Sequence, residues 1–491
     1  MSDPDDPPRA PEPPMGAAPA GGAPLILDHA AGAGVGVPDP RQHRRRMYFR
    51  AFWSGAAARI LNIAIQAVSI SLTVRYLGSE RFGVWTTVST AIAWLAVTNF
   101  GVGHGLVTRI AMLQASSRLE EARRAAVSAW AFVAAVSVVL MPLLVWIAAY
   151  VPWASLLNVT DPRAARECTP TFVVAVALSL VAVALNTVGP VLVGHQRNDV
   201  VNVAGGVSAV AGLALLFVAT RLKWGMPALT AVMIVPNLVA ALVQGVIAWR
   251  LGLVRLGRKY LSTADAVDVL RLGSKFLLVQ LFGIFIFEAG AFIIAAKFGA
   301  AEVTPYGVTS RVVMMIVTAY TVLMSPLWPA YGDAFARGDL DWARRVFGKT
   351  VRVVLGMWVI AAVAMALLGK WVIRVWAGPD AVPSTGLLWA MLIYALSYGG
   401  GLVVAQPLNG SAQVGKQVLA AAVTAALNIP LALLLSDWLG VSGVALSQGL
   451  LMLTVAIPIQ LIGVSRVLGW GESRRAPPQH GVDALPPGQV S

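Results

Sequence analysis

Three ionisable side chains of this 491-residue chain fall deep inside long apolar stretches: Arg59, Glu288 and Arg311. A charge at the centre of a bilayer costs at least about 2.5–3.5 kcal/mol on the insertion scale, so each needs a partner or water. A guanidinium stays charged and donates paired hydrogen bonds, which suits a pyrophosphate. Asn62 and Gln66 follow Arg59 at helical spacing and share its face, as a cavity lining or as interhelical hydrogen bonds would require. Arg59 also sits near enough to a span's start to snorkel to headgroups. Glu288 and Arg311 lie eleven or twelve residues either side of Gly299–Ala300. In an antiparallel helix pair both reach about 17 Å from that turn. They are therefore read either as a salt bridge that permits insertion, or as Arg311 facing a cavity with Glu288 tuning it or taking up a proton.

Other chemistry finds no support. Cys168 is the single cysteine, which excludes an internal disulfide. His104 and His195 have no second ligand at metal spacing, so neither marks a metal site. No HExxH, GxSxG or Walker pattern occurs, and AGAGVGVP (31–38) has no strand before it and no helix after it. The triplets at 158–160 and 409–411 fit a glycosylation acceptor but are assigned no role. No catalytic residue, cofactor or metal is expected.

The elements that must hold these groups follow from composition. Hydrophobic residues make up 57%, charged residues 12%, and mean hydropathy is +0.73, which a soluble globule could not hide. The net charge of +14 lies in short segments beside apolar spans, pointing to anionic lipid and topology, not nucleic acid. A spanning helix needs about 20 residues. Twelve such stretches are predicted, near 52–77, 82–104, 125–149, 170–193, 199–220, 226–249, 274–297, 303–328, 351–369, 385–407, 417–437 and 441–464. With a cytoplasmic N-terminus, 25 of the 37 Lys and Arg fall on cytoplasmic segments and 9 on the opposite side, which predicts both termini inside. Residues 1–46 and 469–491 are read as disordered cytoplasmic tails.

One recurrence organises the whole. LEEARR (119–124) returns as LDWARR (340–345), 221 residues later, and the same shift lays Gly78 on Gly299 and Leu106 on Leu327. Both hexapeptides occupy the same step of a six-helix unit, so the chain is read as a tandem duplication. The reading is an all-α polytopic membrane protein with two parallel six-helix bundles, one over 47–250 and one over 273–468, joined by a linker over 251–272. Parallel repeats suit transporters that rock two bundles around a central site. Gly101, Gly103, Pro326 and Pro329 are the candidate hinges, while Arg75, Tyr76 and Trp85 suit the headgroup layer.

VRYLGSERFGVW (74–85) and NFGVGHGLVTRIA (99–111) resemble the opening of the polysaccharide-biosynthesis and oligosaccharide flippase family, which includes O-antigen flippases and exporters within the MATE-like MOP superfamily. GHQRND (194–199), SPLWPAYGDAFARGDLDWARR (325–345) and LGVSGVALSQGL (439–450) agree with it, and the likeness covers about 47–468. Where that family often has an aspartate in span 7, this chain has Glu288. The resemblance implies a MATE-like fold in the cytoplasmic (inner) membrane and no enzyme activity. It implies a polyprenyl-pyrophosphate-linked oligosaccharide as substrate, moved across by alternating access, with membrane lipids, a polysaccharide polymerase and chain-length machinery as partners. Two alternatives stay open: a cation-coupled multidrug exporter of the same fold, and a membrane enzyme using the same lipid-linked sugars. The absence of Asp and Glu from the cores of spans 1–6 argues against the first, and short outer loops against the second.

Overall fold

The computed structural model describes residues 61–324, 327–411, 413 and 415–470. Arg59, Pro326 and both tails lie outside them. Every regular element among the described residues is helical. The chain runs back and forth through α1 (Leu61–Leu77), α2 (Ser79–Leu95), α3 (Val102–Ala115) and α4 (Leu119–Tyr150). It continues through the short α5 (Trp153–Leu156), then α6 (Pro162–Leu185), α7 (Val188–Gly194), α8 (Asn198–Arg221) and α9 (Met226–Arg250). After a cross-connection come α10 (Thr263–Phe287), α11 (Ala289–Phe298), α12 (Ala300–Met324), α13 (Leu327–Ala336) and α14 (Leu340–Ala377). The last helices are α15 (Thr385–Gly410), α16 (Gly415–Leu439), α17 (Val441–Leu451) and α18 (Ile457–Val467).

Nine runs among the described residues are long and apolar enough to cross a bilayer, or ten if the bent pair α2 and α3 counts as one span. The α1 and α12 helices fall outside that measure, so the predicted twelve is not reached by it. Leu367 is 76% exposed and Trp438 84% exposed, a state that only lipid makes tolerable for side chains so large and apolar. Trp438, Tyr150 and Trp371 cluster toward the Gly78 end of their helices, as interfacial aromatic rings do.

The 221-residue recurrence reappears as repeated contacts. LEEARR and LDWARR each open a long helix, α4 and α14. The Arg123 Nε donates to the Gly252 carbonyl at 2.7 Å, just past α9, and the Arg344 Nε donates to the Leu468 carbonyl at 2.7 Å, just past α18. A cation bonded to the last carbonyls of a helix satisfies acceptors that have no intrahelical donor. Arg123→Ala and Arg344→Ala should each cost about 1–2 kcal/mol, allowing for partial exposure. The expected result is a lower melting temperature of the purified protein in both variants; an unchanged value would mean these bonds contribute nothing. Gly78 and Gly299 also correspond, turning the chain at φ 75° and φ 95°, where a side chain would be strained.

In the first half, Arg81 pairs with Glu167 at 2.6 Å, and Glu167 also accepts from the Met226 amide at 3.0 Å. One carboxylate thereby ties the starts of α2, α6 and α9.

The path from α2 to α3 bends by 42°. Phe100 and Gly101 both take left-handed conformations there, and Asn99 Oδ1 accepts from the Gly101 amide at 2.8 Å. A Cβ on Gly101 would stand 2.3 Å from the Gly273 carbonyl oxygen, and one on Gly105 would stand 2.2 Å from that of Val269. These two glycines let α3 lie backbone to backbone on α10. Gly103 does neither job, since a Cβ there would meet only Pro190 at 3.4 Å.

Candidate functional site

The two halves meet along α2 and α12. At the Gly78 end the contact is backbone-close: a Cβ on Gly83 would lie 1.7 Å from the Ala300 carbonyl oxygen, and Thr304 Oγ1 donates to the Ser79 carbonyl. The Asn158 side-chain amide donates to the Ala296 carbonyl at 2.7 Å, closing the same end. Beside it, Trp376 Nε1 donates to the Ala67 carbonyl at 3.0 Å, and Arg75 Nε donates to that of Trp376 at 3.3 Å, fastening α1 to the end of α14.

Deeper along this seam stands Arg311 of α12. Its Nη1 is 3.4 Å from Thr86 Oγ1, and its Cζ lies 5.5 Å from the Phe82 ring centre and 5.9 Å from that of Trp85. Cation–π attraction to two rings offsets part of the cost of a charge at this depth. The side chain is half-buried and, among the described residues, has no carboxylate within ion-pair distance. Its donors are therefore mostly unspent.

Glu288 occupies the break between α10 and α11. It is half-buried, hydrogen-bonded by Thr90 of α2 and close enough to Arg311 to feel its charge. Around the break, the Phe285 and Ile286 carbonyls accept from Asn428 Nδ2 at 2.9 and 3.3 Å, and that of Ile286 also accepts from Gln448 Nε2 at 2.9 Å. In an apolar interior such acceptors must find donors, and here α16 and α17 supply them. Gln448 is 3.5 Å from the Tyr306 hydroxyl, which joins α12 to the network. A cluster of this kind holds the irregular backbone and presents one carboxylate to the seam. A π-helical turn at Met452–Ala456 separates α17 from α18 nearby in sequence.

Of the residues singled out by sequence, the structure brings Glu288 and Arg311 to one seam but not into a salt bridge. Each bonds to a different threonine of α2, because their side chains run across to that helix instead of toward each other. Asn62 and Gln66 are exposed on α1, one turn apart, and the contacts of Arg311 and Glu288 do not reach them. Gly101 marks the bend, Gly103 lies in regular helix, and Pro329 falls within α13. His104 stacks on Phe276 at 4.8 Å, and His195 bonds the Val191 carbonyl at 2.9 Å, both packing roles. Thr86, Thr90, Asn428 and Gln448 were missed. Their signal was a neutral polar side chain amid apolar spans, weaker than a charge but subject to the same need for a partner.

A multi-pass helical chain with a guanidinium and a carboxylate on one interhelical seam has the architecture of a membrane transporter. Its fold is similar to that of an inward-facing multidrug-resistance MATE family transporter of the MOP superfamily, which superimposes with a TM-score of 0.70 at 14% identity, over 86% of this chain and 100% of that one. Residues 51–335 match the polysaccharide biosynthesis protein family, and the chain belongs to it. Two relatives are a candidate O-antigen transporter of Salmonella typhimurium strain LT2 and a candidate O-antigen export protein of Yersinia pseudotuberculosis. The first is 20% identical, covering 61% of this chain and 68% of the relative. The second is 19% identical, covering 66% and 74%.

Proposed function

We propose that this protein is a flippase that moves a polyprenyl-pyrophosphate-linked oligosaccharide of the O-antigen kind from the cytoplasmic to the outer leaflet. The observation that carries this reading is Arg311: a half-buried guanidinium on the seam that, among the described residues, is engaged in no salt bridge. Glu288 shares the seam but makes no salt bridge with Arg311, so the guanidinium keeps donors for an anion, and its paired geometry suits a pyrophosphate. Charge bias assigns the Gly78 end to the outside and both termini to the cytoplasm. On that assignment the seam is shut outward, and the cycle opens it there while closing it inward. Glu288, bonded to the opposite half through Thr90, is the group whose protonation or cation binding would bias that change. The delivered glycan would then pass to a polymerase and chain-length machinery on the outer face.

Deletion in the native host tests this. The expected result is lipid-linked glycan accumulating on the cytoplasmic leaflet. Unchanged glycans together with altered dye resistance would instead favour a cation-coupled drug exporter of the same fold.

A further inference from the structure

The seam carries a second, apolar compartment. A cavity of about 410 Å³ opens between α2, α4 and α6 of the first half and α11 and α16 of the second. That size is within the roughly 300–1,000 Å³ of pockets that bury a drug-sized ligand. Its lining is entirely apolar, with Trp94, Trp153, Phe172 and Phe292 supplying rings. Two lining residues, Ala91 and Ala289, directly follow Thr90 and Glu288 in the chain.

We infer that this groove holds the prenyl chain of the carried lipid beside its head group; the inference rests on the function proposed above. Three observations select that occupant over an ordinary membrane lipid. The groove's lining on α2 and on α11 starts at the residue next to each member of the polar pair, so a single amphiphile with an anionic head and an apolar tail matches both compartments of one seam. Both halves contribute walls, so its shape depends on how the halves sit, as a substrate subsite must. A comparable groove of about 490 Å³ lies between α8 and α9, lined from one half alone and remote from Arg311 and Glu288 in the chain. That one has the placement expected for a bilayer lipid. The chain is therefore held at the seam while the head group crosses, and recognition includes tail length.

Purified full-length protein, titrated with undecaprenyl pyrophosphate and with geranyl pyrophosphate, provides the test. Wild type should bind the long-chain compound about ten-fold or more tightly than the short one. Ile147→Trp fills the groove from a partly exposed position on α4, away from the polar pair. It should bring the two affinities close together while geranyl pyrophosphate binding stays at the wild-type value. Leu144→Trp, three residues earlier on the same wall, should do the same, and Val203→Trp in the α8–α9 groove should leave the preference intact. If both groove-filling variants keep the wild-type preference, the inference is overturned. It is equally overturned if they lose co-purifying phospholipid but not chain-length preference, for then a bilayer lipid occupies the groove. If geranyl pyrophosphate does not bind wild type at all, the head-group reading fails first and takes the tail site with it.

Discussion

Arg311→Ala is expected to abolish glycan export while the amount of protein in the membrane stays close to wild type. The two halves of that expectation come from the same geometry. Removing one member of a buried ion pair usually costs about 3–5 kcal/mol, because a charge is left without its partner. Among the described residues Arg311 has no such partner: it contacts Thr86 and two rings, and Glu288 keeps its hydrogen bond from Thr90 when the guanidinium goes. Alanine also removes a charge that was expensive to insert, which offsets the lost contacts. Export is different. Two charge-assisted hydrogen bonds to a pyrophosphate, at about 1.5–3 kcal/mol each, correspond to a loss on the order of a hundred-fold or more. Arg311→Lys should fall between, since an ammonium keeps the charge but not the paired geometry. Immunoblots of membrane fractions and assays of surface glycan, run on the same cells, decide the matter. If Arg311→Ala depletes the protein as much as the glycan, the side chain serves insertion and the transport reading loses its main support.

How much of this was legible in the sequence differs between fold and site. The LEEARR and LDWARR pair was legible because its arginine makes the same contact twice, bonding a carbonyl just past α9 and another just past α18. Gly78 and Gly299 were legible for a similar reason: a positive φ admits few residues, so the turn constrains the letter. The charged site was visible because lipid makes every ionisable residue conspicuous. Depth alone, however, does not fix direction. Glu288 and Arg311 reach a similar level, yet each turns to α2, and nothing in one helix pair announces a third helix lying between their targets. Asn428 and Gln448 were hidden because they answer carbonyls freed by a break at position 288, and the break itself leaves no Gly or Pro signature at that position. The glycines of α3 were read together, but backbone proximity to α10 separates Gly101 and Gly105 from Gly103.

Gly83→Ala should cut export at least about ten-fold by wedging the halves apart at the Gly78 end. A Cβ there would lie 1.7 Å from the Ala300 carbonyl oxygen and 2.6 Å from its carbon, and both are backbone atoms that no rotamer change can move. The methyl group therefore forces α2 and α12 to separate, and the state closed at that end loses stability relative to the state open there. A transporter pinned on one side of its cycle binds but does not turn over. Thr304 reports on the separation, since it is fully buried and bonds Ser79 across the seam. Cys168 is the single cysteine and is itself buried, so Thr304→Cys can be read against a silent background. In Gly83→Ala that cysteine should react with a membrane-impermeant maleimide added outside intact cells, whereas with Gly83 retained it should be protected. Gly205→Ala, where nothing lies within 4 Å of the added carbon, is the matched control and should alter neither labelling nor export. Normal export by Gly83→Ala with Thr304→Cys still protected would mean that the α2–α12 contact yields to a methyl group without cost. It would then not be the closure that alternates.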